Sequence, residues 1–189
     1  DDKAIEKAMA KRKIIQSWLL RGTLHIVSSD DIRWMLDFLA PRIIQNSLSR
    51  YRELELSMPL LKKCKGILRS ALAGGTEQTR EELEHTFARH NIIANGLRLT
   101  HILHNAAMEQ VICLGTKHGN EFTYTLLDDH VPAGAVKKPE EALAELARRY
   151  FRSHGPALIT DFAGWAGLTL KEAKAGVEAV KLELQEETS

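Results

Sequence analysis

Only two of the 189 residues are cysteines, Cys64 and Cys113, and neither stands in a Cys-x-x-Cys spacing. No disulfide framework follows, and both thiols read as small buried apolar side chains of a reduced compartment. Nowhere does the chain carry an apolar run of membrane length or a basic-then-apolar leader, so the cytoplasm is the expected compartment and no membrane contact is expected. A Ser/His/Asp arrangement, a Gly-rich phosphate loop and a dense Cys/His cluster are missing too, and no cofactor or metal is expected. Excess charge is also lacking: 26 Lys and Arg against 25 Asp and Glu leave a formal +1. That falls short of the balance expected when a whole domain coats phosphate, so any anion-binding surface must come from local clustering. With 44% hydrophobic residues the chain can still bury a real core, and its length fits one or two compact units. It opens on Asp1-Asp2 rather than Met, which suggests an excerpt from a longer protein.

The most informative stretch is 79–127. Thr79 is followed three residues later by Glu82, a capping box that starts a helix at Arg80. Leu83 and Phe87 give residues 80–90 one apolar stripe, and 91–96, with two Asn and a Gly, breaks it. A second helix is expected over 97–110, where Leu99, Ile102, Leu103, Ala106 and Ala107 recur at three- and four-residue spacing. Its other face presents Arg98, Thr100, His101, His104 and Asn105. The period then changes: 111–114 is β-branched and apolar, 115–120 reads as a turn containing Lys117 and His118, and 121–127 alternates Phe122, Tyr124 and Leu126 with polar residues. Helix, turn, helix and a two-stranded hairpin make a winged helix.

The helical half of that order returns near the end. A helix over 140–152 halts at Ser153-His154-Gly155-Pro156. Thr160 or Asp161 is expected to cap a short helix through Trp165, Gly167 ends it, and Thr169 with Glu172 opens another over 170–180. Residues 181–184 are expected to begin a strand, and no returning strand follows before Ser189. At the other end, 1–12 reads as a helix with Ala4, Ile5, Ala8 and Met9 on one face. Residues 13–20 and 23–27 read as strands joined through Arg21-Gly22. Asp30 caps a helix over 31–40 that Pro41 bends or ends, 43–51 continues helically, and 57–73 is a helix ended by Gly74-Gly75. The expected fold class is mainly α with small β-hairpins (α+β), built from tandem winged helix-turn-helix units. These are a partial one with connecting helices in 1–56, a complete one in 57–130, and one cut before its wing in 131–189.

The runs Trp18-Leu19-Leu20-Arg21-Gly22-Thr23-Leu24-His25, Arg149-Tyr150-Phe151-Arg152-Ser153-His154-Gly155-Pro156 and Asp161-Phe162-Ala163-Gly164-Trp165-Ala166-Gly167-Leu168-Thr169 resemble the winged-helix DNA glycosylase family that includes AlkZ and YcaQ. The resemblance spans nearly the whole chain. It implies tandem winged helices around duplex DNA and metal-independent excision of alkylated bases or unhooking of crosslinks. It also implies a Gln-aliphatic-Gln or Gln-aliphatic-Asp motif, upstream of the Arg-Gly-Thr-Leu-His string, that positions or activates water at the sugar C1′. No such triplet is present: Gln16 precedes Ser17 and Trp18, and Gln45 precedes Asn46 and Ser47. Either the motif lies in an N-terminal segment outside this chain or this member never had it, and the catalytic residues stay unassigned.

Residue chemistry adds two groups. Thr23 and His25 share one face of a hairpin and, with Arg21, offer a cation, a hydroxyl and an imidazole to phosphate or to a pocket; the alternative is that Arg21 and His25 pair with carboxylates. Trp18 is a platform for an unstacked base or a core residue. The second group is the expected recognition helix, Arg98, Thr100, His101, His104 and Asn105, with Lys117 and His118 at the wing tip for a backbone contact. His101 and His104 are two imidazoles without third and fourth ligands, so they read as DNA-facing or solvent-facing rather than metal-binding. The partner expected is double-stranded DNA, bound by a monomer. Three readings follow: part of a DNA glycosylase-like protein, a non-catalytic winged-helix regulator, or a module serving protein contacts.

Overall fold

The computed structural model describes residues 2–119, 121–131, 133–134 and 136–185. Asn120 of the expected turn and residues 186–189 lie outside them. The chain forms two compact units, Asp1–Gly134 and Ala135–Ser189. In the first, α1 (Asp2–Ala10) leads into an antiparallel hairpin of β1 (Ile14–Trp18) and β2 (Leu24–Ser28), joined through a 3-10 turn at Leu20–Gly22. There follow α2 (Ile32–Glu53), α3 (Met58–Ala71), β3 (Gln78–Thr79), α4 (Arg80–Arg89), α5 (Gly96–Met108), β4 (Ile112–His118), β5 (Glu121–Leu126) and the single turn α6 (Leu127–His130). The second unit holds α7 (Pro139–His154), α8 (Ile159–Ala166), α9 (Leu170–Ala179) and a 3-10 turn at Lys181–Glu183. Among the described residues no helix is long and apolar enough to cross a membrane.

Residues 57–130 hold the order α3, β3, α4, α5, β4, β5. The helix starts are local: Ser57 accepts from the Leu60 N–H at 3.3 Å, and Thr79 and Glu82 cap one another at 3.3 and 2.7 Å. Thr169 and Glu172 do the same for α9 at 3.3 and 2.8 Å. The N-terminal hairpin does not stand apart from this unit. Its β1 is hydrogen-bonded to β4 with Gln16 opposite Leu114, giving one antiparallel sheet ordered β2-β1-β4-β5-β3. The α+β class therefore holds, with a single five-stranded sheet where separate hairpins were expected.

Several local expectations are corrected. Helix α2 runs through Pro41 without ending: the missing N–H costs one turn's hydrogen bond to the Asp37 carbonyl, but Ile32, Leu36 and Leu39 before it and Tyr51 after it are all buried. Asp31, not Asp30, stands at the N-cap, and its carboxylate accepts from the Trp34 indole N–H at 3.0 Å. Strand β4 continues to His118, so Gly115 lies inside a strand. The pairing with β5 shifts register between Leu114 and Lys117, and Glu77 grips that bulge: it accepts from the Thr116 N–H at 3.0 Å, from the Thr116 hydroxyl at 2.7 Å and from the Thr123 hydroxyl. Last, 181–184 form a 3-10 turn instead of a strand, because Glu183 is drawn back to α7 by Arg148, whose guanidinium donates to both carboxylate oxygens at 2.6 and 2.8 Å. At α8, Leu158 holds the N-cap position in place of the expected Thr160 or Asp161, and Asp161, inside the helix, reaches back to the Leu158 N–H at 3.0 Å.

Candidate nucleic-acid interface

The hairpin turn brings three of the sequence-nominated groups together. Backbone bonds from Gly22 N to Leu19 O (2.9 Å), from Thr23 N to Leu20 O (3.1 Å) and from Leu19 N to Thr23 O (2.9 Å) close it tightly. Arg21 and Gly22 both adopt left-handed conformations, φ +54° and +75°. The Thr23 hydroxyl donates to Leu20 O at 3.0 Å and lies 2.8 Å from His25 Nε2. With its single proton spent on Leu20, the hydroxyl accepts from His25, which fixes a hydrogen on Nε2. Arg21 and Thr23 are exposed and His25 is half-buried. One small surface thus carries a guanidinium, a hydroxyl and an imidazole. Beside it Leu24 and Ile26 are exposed on β2, an edge strand. Trp18 does not join them: it faces inward, stacked on Tyr124 at 6.3 Å and edge-on to His104 at 6.0 Å.

The expected recognition face of α5 is covered. Asn105 is fully buried, its amide N–H₂ 3.5 Å from the Tyr51 hydroxyl of α2, and His104 is 8% exposed. His101 packs edge-on against Tyr51 at 6.1 Å. Arg98 donates to Leu54 O at 2.5 Å and pairs with Glu55 at 3.8 Å. Thr100 donates to Gly96 O at 3.1 Å and accepts from Arg80 at 3.0 Å. A helix broken at Pro41 would leave this polar stripe to solvent; unbroken, α2 lies along the stripe and takes it inside. Burial pushes the His104 imidazole down to about 4, with His101 adding repulsion, and holds His101 below the usual histidine range, with Arg50 contributing. Both rings are therefore neutral at pH 7. Among the described residues no group of three or more His, Cys, Asp or Glu gathers as a metal site.

What α5 leaves open is its leading tip. Asn91, Asn95 and Gly96 are exposed there, with Ile93 at 74% and Leu97 at 56%. On the wing, Lys117 and His118 are exposed strand residues opposite Phe122 and Glu121, not tip residues, and the Lys117 ammonium sits 5.1 Å over the Phe122 ring. In the second unit the last helix of the repeat is open along its length. On α9, Ala173 and Gly176 are buried, and a Cβ on Gly176 would come 3.1 Å from Leu143 Cγ of α7, while Lys171 and Lys174 face outward. Sequence reasoning does not single out these two lysines. A signal for them exists: they stand three apart on the side of α9 opposite the small residues.

Known proteins share this fold. A family model described as DNA glycosylase AlkZ-like matches residues 1–188. An interstrand DNA cross-link repair glycosylase of Streptomyces sahachiroi is similar at 26% identity over 182 residues, covering 89% of this chain and 47% of that protein. The solved structure of the Streptomyces sahachiroi DNA glycosylase AlkZ superposes with a TM-score of 0.77 at 24% identity, covering 98% of this chain and 52% of that one, which shows a shared fold. The chain spans about half the length of these relatives. With the family match running over residues 1–188, the chain belongs to the AlkZ-like DNA glycosylase family.

Proposed function

We propose that this chain is the duplex-gripping part of a metal-independent DNA glycosylase acting on alkylated or crosslinked DNA in the cytoplasm, and that it binds as a monomer. The observation that carries this reading is the hairpin turn, where Arg21, Thr23 and His25 are presented together on a chain of glycosylase-family membership. Arg21 and the Thr23–His25 pair meet phosphate oxygens, and Lys117 on the wing and Lys171 and Lys174 on α9 add backbone contacts. Phosphate contacts position the duplex without reading sequence. The chemical step, water directed onto the sugar C1′, is assigned to the family's Gln-containing motif, and none of these 189 residues supplies that triplet. This chain's residues hold the substrate, and the base must leave the stack before any such step.

Duplex binding measured by anisotropy across salt concentrations tests the grip. Arg21→Ala, and Lys171→Ala with Lys174→Ala, should each weaken binding and reduce the salt slope by about 1 for every phosphate no longer neutralised. No duplex binding at low salt would end the proposal and leave the protein-contact reading. Base release from alkylated duplex by the natural polypeptide that contains this chain separates a glycosylase from a non-catalytic regulator.

A further inference from the structure

A row of rings crosses the first unit beneath the hairpin turn. Tyr124 of β5 stacks on Trp18 of β1 at 14°, Trp18 meets His104 of α5 edge-on at 80°, His104 lies 6.3 Å from His101, and His101 meets Tyr51 of α2 at 80°. The row touches the candidate interface at one point. Gly22 approaches His104 so closely that a Cβ there would sit 3.0 Å from Nε2 and 3.3 Å from Ile43 Cγ2. The other ring nitrogen, Nδ1, is buried with no hydrogen-bond partner among the described residues. A leucine would fill a similar volume without that desolvation cost, so hydrogen bonding does not account for the imidazole. Its shape does: the flat ring packs at right angles to Trp18 and against a glycine in a left-handed conformation, so closely that residue 22 has no room for a Cβ.

We infer that His104 is a positioning residue for the candidate DNA-facing turn: its ring is the floor on which Gly22 rests, and it thereby sets where Arg21 and Thr23 stand. The inference rests on the proposed function only in taking that turn to face DNA. The row would carry the setting further, since the same ring is locked through Trp18 to the wing sheet and through His101 to α2.

The test is a pair of cycles on this chain, read by the backbone amide resonances of residues 21–23 and by affinity for an undamaged duplex at low salt. His104→Ala should move the 21–23 resonances and weaken binding by about tenfold, roughly the effect of removing one good charged contact. In an Arg21→Ala background it should cost little more, because the residue it positions is gone. Gly22→Ala approaches the same contact from the turn side and serves if His104→Ala does not fold; combined, the two changes should move the resonances less than the sum of each, since one vacates the space the other fills. Unmoved resonances in His104→Ala, or strictly additive losses in both cycles, would overturn the inference. Moved resonances with duplex affinity unchanged in Arg21→Ala and His104→Ala alike would uphold the contact between ring and turn but overturn the DNA-facing role, and with it the reading of the hairpin.

Discussion

His104 is a base kept from its proton. Burial holds its folded pKa at about 4, with His101 opposing protonation further, against about 6.5 for an unfolded histidine. A group whose folded pKa is depressed favours its deprotonated form in the fold. Its contribution to stability is therefore complete above about pH 6.5 and declines as pH falls toward 4, below which no more is lost. His101 and His130 shift in the same direction, each mainly by burial. Glu77 acts lower: burial opposes its ionisation, but the hydroxyls of Thr123 and Thr116 and the Thr116 N–H outweigh it and hold the carboxyl below its usual 4.5, so its contribution is lost as pH falls through that lowered value. Urea midpoints should thus fall steadily between pH 6.5 and 4, and His104→Gln should flatten that part of the profile. An equal slope in the variant would assign the loss to other groups. None of this was legible in the sequence, where Arg98, His101, His104 and Asn105 form an ordinary polar stripe. Whether such a stripe meets water or another helix depends on α2, some fifty residues upstream in the chain.

Elements defined by neighbouring residues were legible, and elements defined by distant ones were not. The capping boxes at Thr79 and Thr169 involve positions three apart, so the starts of α4 and α9 could be read directly. Helix α2 persists through Pro41 because of remote partners: Arg33 bonds Asp128 at 2.7 Å and Val131 O at 2.5 Å, and Asp37 accepts from Gln110 at 2.5 Å. The wing was read a few residues short for the same reason. Gly115 looks like a turn residue, but it is the strand position where Glu77 and Thr123 crowd in: a Cβ there would lie 2.6 Å from Thr123 Oγ1 and 2.8 Å from Glu77 Cδ. Gly115→Ala should cost about 1–3 kcal/mol through overpacking, seen as a melting temperature lower by several degrees. A melt indistinguishable from the parent would show that the bulge relaxes freely. Glu77→Ala should cost a comparable amount by leaving the Thr116 N–H unpaired, and its effect should shrink at low pH, where the parent carboxyl is also neutral.

For the whole molecule, a net charge of +1 gave no hint of a nucleic-acid partner. The hint lay in fold order and in the Arg21–His25 string, where side-chain alternation already groups Arg21, Thr23 and His25; the left-handed turn and the Thr23–His25 hydrogen bond needed the structure. If the proposed surface is right, log affinity should fall linearly with log salt, and removing Lys171 and Lys174 together should lessen the slope by about 2. An unchanged slope would clear α9 of backbone contact. The two units are separately compact, so the loss from the α9 pair and the loss from Arg21→Ala should add within about 0.5 kcal/mol.

The pairing of Gln16 with Leu114 makes the hairpin and the wing parts of one plate. Between β2 and β5 lie three strand spacings, about 14 Å, and that interval cannot stretch or shrink without tearing backbone hydrogen bonds. Probes on Leu24 of β2 and Glu121 of β5 should report the same separation with and without duplex. On the proposed duplex-facing surface, a gauge of fixed width would leave accommodation to the nucleic acid, so a helix already softened by damage would seat at lower elastic cost than an intact one.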